Sequence, residues 1–283
     1  MQIPDALIAA VRARKAILFA GAGVSSSLGL PLFDVLKAHL CKQLGLADAS
    51  EYDFPILAEY FLLERGETGR DELLHWMKNI WHPDELNITC SAIHEHIVKL
   101  NFPVIYTTNY DAWIEWAFKA RGRPYRKIIG VHDLAARKPG EVEIIKFHGD
   151  FDSPDSIVLT ESSFLSRMSL DGPLDIRLRA DSLARPLLFV GYSMSDPNIR
   201  FLLFKLQQLW AQHPEGGSKP ESYIVVVERN SVQQRLLIQR GVQPIVSDEG
   251  DATAALQKFF EALSDAAADG NAGEFAGSGF RAQ

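Results

Sequence analysis

Five segments of this chain place chemically capable groups directly after an apolar run. AILFA leads into Gly21-Ala22-Gly23, with Ser25, Ser26 and Ser27 behind it, and VIYTT leads into Asn109-Tyr110-Asp111. EIIKF leads into His148-Gly149-Asp150, LLFV into Gly191-Tyr192-Ser193, and YIVVV into Glu228-Arg229-Asn230. Glycines let backbone N–H groups approach a phosphate. An asparagine amide offers both a donor and an acceptor, and an imidazole can take up a proton near neutral pH. Each segment also has a plainer use. A serine can cap a helix after the glycine turn, Thr108, Asn109 or Asp111 can cap the helix that begins AWIEWAF, and His148 before a glycine can be a turn residue. Asp196-Pro197 reads as structural, an N-cap followed by proline at the first helical position. The glycine segment lacks the Gly-Lys-Ser/Thr of a triphosphate loop, and Ser26 stands where a dinucleotide fingerprint needs its third glycine. The other histidines fall on helical or loop stretches; His94 and His96, two apart, face different ways and make a poor metal pair.

The elements that must position these groups are legible in the hydrophobic pattern. β-Branched and aromatic runs predict strands at Lys15–Ala20, Pro103–Thr107, Arg126–Ile129, Val142–Phe147, Ile157–Thr160, Leu187–Val190, Tyr223–Glu228 and Gln243–Val246. Several are apolar on both faces, as strands covered by helices on both sides of a parallel sheet are. Helical patterns at Asp111–Arg121, Pro173–Leu183, Asp196–Gln212, Ser231–Arg240 and Thr253–Asp265 alternate with them. That alternation predicts a doubly wound, mostly parallel α/β domain, in which ligands sit beyond the carboxyl ends of the strands. Between Gly23 and Pro103 the pattern is helical only, near Leu32–Leu44, Phe54–Arg65, Asp71–Trp81 and Thr89–Leu100. The expected organisation is therefore a main domain from 1–31 and 101–265, a helical insertion at 32–100 carrying its own small core or a subunit contact, and a disordered Gly/Ala-rich tail at 266–283.

Composition narrows the function classes. The chain has 283 residues, 29 Lys plus Arg against 36 Asp plus Glu, and a formal charge of −7. That balance argues against duplex nucleic acid as the main ligand, since phosphate binding needs clustered cations. No apolar run approaches a bilayer span, and the first residues lack an apolar signal core. Cys41 and Cys90 are the two cysteines; they give neither a disulfide framework nor a four-thiolate zinc site. The expectation is a cytoplasmic chain that binds no membrane and no metal.

In this order, GAGVSSSLGLP, TTNYD, KFHGD and GYS resemble the NAD-binding domain of the sirtuins, over about Ala16 to Asn230. The resemblance implies a Rossmann-like fold that binds NAD. It implies Asn109 and His148 as the catalytic pair, Gly21, Ala22, Gly23 and Ser25 along the pyrophosphate, and Asp111 near the nicotinamide carboxamide. Gly191 and Ser193 would contact a phosphate or ribose, and Glu228 is the candidate for the ribose hydroxyls. This chain departs from the deacylases of the family: it lacks the four zinc cysteines, has Pro31-Leu32-Phe33-Asp34 in place of Pro-Asp-Phe-Arg, and has Thr107-Thr108-Asn109 in place of Thr-Gln-Asn. In these departures it resembles the bacterial sirtuin-like NADases of antiphage defence.

The resemblance implies cleavage of NAD into nicotinamide and ADP-ribose without a metal, with Asn109 positioning ribose and water and His148 acting as base across a dinucleotide-shaped cleft. It further implies restraint by homo-oligomerisation or by a co-encoded defence protein such as a DNA-translocating ATPase. Two rivals use the same residues: an NAD-dependent deacylase or ADP-ribosyltransferase, and a module that senses NAD or ADP-ribose without turnover.

Overall fold

Seven strands form a single parallel sheet in the computed structural model, which describes residues 1–136, 138–213, 219–227 and 230–273. In chain order, α1 (Asp5–Arg12) precedes β1 (Ile17–Ala20). Four helices, α2 (Ala22–Ser26), α3 (Phe33–Leu44), α4 (Phe54–Trp81) and α5 (Ala92–Leu100), then lead to β2 (Val104–Thr107). Next come α6 (Trp113–Ala120), β3 (Tyr125–Ile128), α7 (Val131–Ala135), β4 (Val142–Lys146), α8 (Glu161–Ser166), α9 (Pro173–Ala184) and β5 (Leu187–Val190). The chain continues through α10 (Pro197–Gln212), β6 (Ser222–Val226), α11 (Ser231–Gln239), β7 (Val242–Val246) and α12 (Ala252–Gly273).

The strand order is β3-β4-β2-β1-β5-β6-β7. From β1 the chain builds outward through β2 to one edge, then returns to place β5 on the other side of β1. The carboxyl end of β1 is therefore a topological switch point, where open α/β sheets bind ligands. Both faces of the sheet are covered, as double-sided apolar strands require. Leu18, Ile105, Ile144, Leu188 and Val225 pack with α1, α3, α4, α5, α6 and α12. Ile17, Phe19, Tyr106, Ile145, Phe189 and Ile224 pack with α9, α10 and α11.

Four expectations are corrected. Ile157–Thr160 is a buried loop, not a strand: the Val158 N–H donates to the His148 carbonyl at 2.9 Å, and the N–H groups of Leu159 and Thr160 go to Ser163 Oγ. A β-branched run can be buried without a ladder when side chains satisfy its backbone. The helices expected at Phe54–Arg65 and Asp71–Trp81 form one helical run broken at Gly66, whose φ of 66° lies in the left-handed region. The last helix continues to Gly273, through the start of the stretch expected to be disordered; its alanines are strong helix formers. Residues 274–283 lie outside the described ones. The helices between β1 and β2 have no separate core: Leu36, Phe61 and Met77 belong to the same apolar cluster as Leu18 and Ile105.

Candidate active site

The glycines after β1 answer first to packing. Gly21 donates its N–H to the Val190 carbonyl at 2.9 Å, and Gly23 donates to the Gly191 carbonyl at 2.8 Å. A Cβ on Gly21 would fall 2.5 Å from the Gly191 oxygen, and one on Gly23 would fall 2.6 Å from the Gly191 Cα. Gly191 itself has φ +58°, and a Cβ there would fall 2.5 Å from the Val24 nitrogen. The turn after β1 and the turn after β5 thus touch backbone to backbone at the switch point.

Beside this contact lies a buried polar network. Ser25 Oγ donates to Asp111 Oδ2 at 2.7 Å. The Asn109 amide nitrogen donates to Ser25 Oγ at 2.9 Å and to the Gly21 carbonyl at 3.1 Å, while Thr107 Oγ1 accepts from the Asn109 backbone N–H. No described residue donates to the Asn109 amide oxygen. Asp111 Oδ1 accepts the Trp113 N–H at 3.3 Å, so it also serves the start of α6. Ala22, Ser25, Phe33, Trp81, Asn109 and Asp111 line a hollow of about 20 Å³, room for roughly one water. Trp81 is fixed there by an Nε1–H bond to the Pro31 carbonyl at 2.8 Å.

His148 follows β4, the strand beside β2 on which Lys146 is paired with Thr107. Asn109 and His148 therefore leave adjacent strand ends. His148 is buried and does not line the hollow. Its Nε2 lies 3.2 Å from Asp196 Oδ2, close enough for an ion pair, but the N–H direction is misaligned for a hydrogen bond. The Phe164 ring of α8 stands edge-on to the imidazole, with centroids 5.1 Å apart. Two tethers hold α8 over it. Ser162 donates through its N–H and hydroxyl to the Glu59 carboxylate of α4, and the Asn198 amide donates to the Phe164 carbonyl. The hollow beside Asn109 does not reach His148, so no dinucleotide-shaped cleft joins the two among the described residues.

Asp196 does more than cap α10. Oδ1 accepts the N–H groups of Asn198 and Ile199, whereas Oδ2 accepts the Tyr192 hydroxyl at 3.1 Å and faces His148. Burial pushes its carboxyl up, but His148, the Asn198 N–H and the Tyr192 hydroxyl outweigh burial and hold it below the usual carboxylate range. Nothing in the Asp-Pro pattern distinguishes this second role from an ordinary cap. Ser193 is exposed, with its hydroxyl 2.8 Å from that of Ser195. Glu228 lies outside the described residues.

A layer of buried charge supports the two strand ends from below. Lys146 is fully buried, with its ammonium 3.3 Å from Glu115 and 3.3 Å from Asp150, and it donates to the Asp111 carbonyl. Burial opposes its charge, but Glu115, Asp150 and Asp111 together push the Lys146 pKa above its ordinary value. Burial in turn pushes Glu115 up, against the pull of Lys146. Lys146 so ties the loop carrying Asn109 and Asp111 to the loop carrying His148 and Asp150. A larger groove of about 290 Å³ between α9 and α10, lined by Arg179, Phe201, Lys205 and Gln208 among others, shares no residue with this site. Among the described residues no cluster of His, Cys, Asp or Glu could hold a metal, and no helix is long and apolar enough to cross a membrane.

A family model described as a SIR2-like domain matches residues 103–245. The chain is 28% identical over 206 residues to the NAD(+) hydrolase ThsA of Acinetobacter baumannii, covering 72% of this chain and 41% of that protein. It is 30% identical over 197 residues to the NAD(+) hydrolase ThsA of Enterococcus faecium, covering 69% and 40%. It is 26% identical over 232 residues to defense-associated sirtuin 2 of Bacillus subtilis, covering 79% and 22%. The chain thus spans about two fifths of the length of the ThsA proteins it matches. A crystal structure of a SIR2 homolog–NAD complex shares the fold with a TM-score of 0.54 at 13% identity, covering 94% of this chain and 96% of that one.

Proposed function

Because the chain belongs to the SIR2-like family, we propose that it is an NAD+ glycohydrolase, cleaving the nicotinamide–ribose bond to give nicotinamide and ADP-ribose. The observation that carries this reading is the placement of Asn109 and His148 at adjacent strand ends, one and two strands from the glycine turn at the switch point. The ThsA relatives, named as NAD(+) hydrolases, support it over the stretch they share with this chain.

Nicotinamide departs from a cationic ring nitrogen as a neutral molecule, so its departure needs no general acid. The requirement is a held ribose, support for an oxocarbenium-like transition state and a water on the freed face. Asn109 suits the first and third tasks, since one amide presents a donor and an acceptor. His148 suits the base, taking the proton of the ribose hydroxyl or the attacking water. Gly21, Ala22, Gly23 and Ser25 would line the pyrophosphate, Asp111, which accepts from Ser25, would lie near the nicotinamide carboxamide, and Gly191 and Ser193, which follow β5, would meet a phosphate or ribose. NAD is the substrate, and the step calls for no metal.

A hollow of about 20 Å³ is far below the several hundred Å³ of an ordinary small-molecule site. On this reading α8 and its loop move off His148 when NAD enters. We infer that a bacterial defence system restrains and releases the enzyme in the cytoplasm, through homo-oligomerisation or a co-encoded protein. The experiment is to incubate purified protein with NAD, with and without an acylated peptide, and separate the products. Nicotinamide and ADP-ribose formed without peptide support the hydrolase; release that needs the peptide supports a deacylase; calorimetric binding with no product, even with assembled partners, supports a sensor. A monomer that hydrolyses NAD at full rate removes the control by assembly.

A further inference from the structure

We propose that Asp196 is the positioning residue of His148, directing the Nε2 hydrogen toward its carboxylate so that the neutral ring presents its lone pair on Nδ1. The proposal rests on the reading of His148 as base. Capping α10 needs one side-chain oxygen, and Asp196 uses Oδ1 for it. Asn or Ser would cap comparably, and neither would bring a charge into a site where an unpaired carboxylate costs several kcal/mol. The second oxygen is what a cap leaves unexplained. It takes the Tyr192 hydroxyl and stands 3.2 Å from His148 Nε2, joining loops that follow β4 and β5 across the ends of β2 and β1. The Phe164 ring stands edge-on to the imidazole and the Tyr192 hydroxyl is bonded to the same Oδ2; the 3.2 Å separation already suits an N–H···O bond once the ring turns to align it. Catalytic hydrogen bonds are commonly misaligned until substrate is bound.

In the proposed step a ribose hydroxyl or water gives its proton to Nδ1, the ring becomes imidazolium, and the Asp196 carboxylate balances the new charge without itself taking the proton. Asp196→Asn keeps the cap, because the amide oxygen can accept both N–H groups. It turns an amide N–H toward Nε2, which forces the ring hydrogen onto Nδ1 and removes the acceptor.

The test has two readouts on the full chain. In steady-state kinetics with NAD, Asp196→Asn should lower kcat by about 100-fold with KM changed by less than about threefold, the split expected when a base is misdirected. In ¹⁵N spectra of the neutral imidazole, wild-type His148 should carry its hydrogen on Nε2, and Asp196→Asn should move it to Nδ1. Wild-type kcat in a folded Asp196→Asn protein, or a wild-type ring protonated on Nδ1, overturns the proposal. The spectrum of the unaltered protein can overturn the proposal even if the variant does not fold or NAD proves not to be the substrate.

Discussion

Replacing Lys146 with methionine tests the buried charge layer that holds the two strand ends together. Methionine roughly fills the space of the aliphatic stem but leaves Glu115 and Asp150 without the ammonium that stands 3.3 Å from each. Removing one member of a buried ion pair costs about 3–5 kcal/mol, against a total stability of about 5–15 kcal/mol for a typical domain. Lys146→Met should therefore lose roughly a fifth or more of the folding free energy. Glu115 gives the loss a pH signature. Burial already pushes its carboxyl above the usual range while Lys146 pulls it down, so without Lys146 it rises further. An acid whose native pKa lies above its unfolded value binds more protons when folded, and that contribution is lost as pH rises through the native pKa. The deficit should be largest at about pH 8 and should shrink toward about pH 5. Glu115→Leu added to Lys146→Met removes the stranded carboxylate and should recover about 1–3 kcal/mol, a coupling measurable by a double-mutant cycle. Urea unfolding at both pH values reads all three quantities. A loss under about 1 kcal/mol at the higher pH, or no recovery in the double variant, would refute the assignment of charge to this layer.

Three further outcomes follow from the same geometry. Gly191→Ala combines a φ of +58° with a Cβ only 2.5 Å from the Val24 nitrogen, whereas Gly29→Ala has φ +81° and open space. Thermal melts should show a loss of about 3 kcal/mol or more for the first and about 1–2 kcal/mol for the second; equal losses would mean that the backbone contact at the switch point is unimportant. Burial, helped by Arg121, holds His94 at about 3. Its neutral form stabilises the fold above the unfolded value near 6.5, and that contribution drains as pH falls, by about 2 kcal/mol at pH 5; His94→Leu should flatten this part of the stability profile. Glu59→Ala removes both hydrogen bonds from Ser162 to α4 and leaves the Asn198 tether, so the amides of α8 should exchange with solvent about tenfold faster or more. Unchanged exchange would mean that α8 is held by other contacts.

The sheet was legible because its strands are apolar on both faces, a pattern that helices on two sides impose and few other settings do. Four of the five polar strand ends were legible because a parallel sheet delivers its carboxyl ends to one edge; Glu228 and Arg229 of the fifth lie outside the described residues. What escaped depends on tertiary contact. Lys146 sits inside EIIKF and gives no local sign that Glu115 and Asp150 will neutralise it. Asp196 carries a complete local explanation as an N-cap, which conceals the oxygen that faces His148. Ile157–Thr160 has the composition of a strand, but its backbone partners are a serine hydroxyl and a neighbouring loop. The closing of α8 over His148 depends on bonds from Glu59 and Asn198 to residues more than thirty positions away, a spacing at which no periodicity carries information. The glycines show the reverse case, in which a motif that suggests phosphate also meets a packing demand between two turns.

The most direct measurement is the rate at which purified protein converts NAD into nicotinamide and ADP-ribose, compared with folded Asn109→Ala and His148→Ala variants. The account predicts the two products in equal amounts and a fall of at least about 100-fold in each variant, the scale expected for loss of a general base or a water-positioning group. Turnover near the wild-type rate in either folded variant would contradict it.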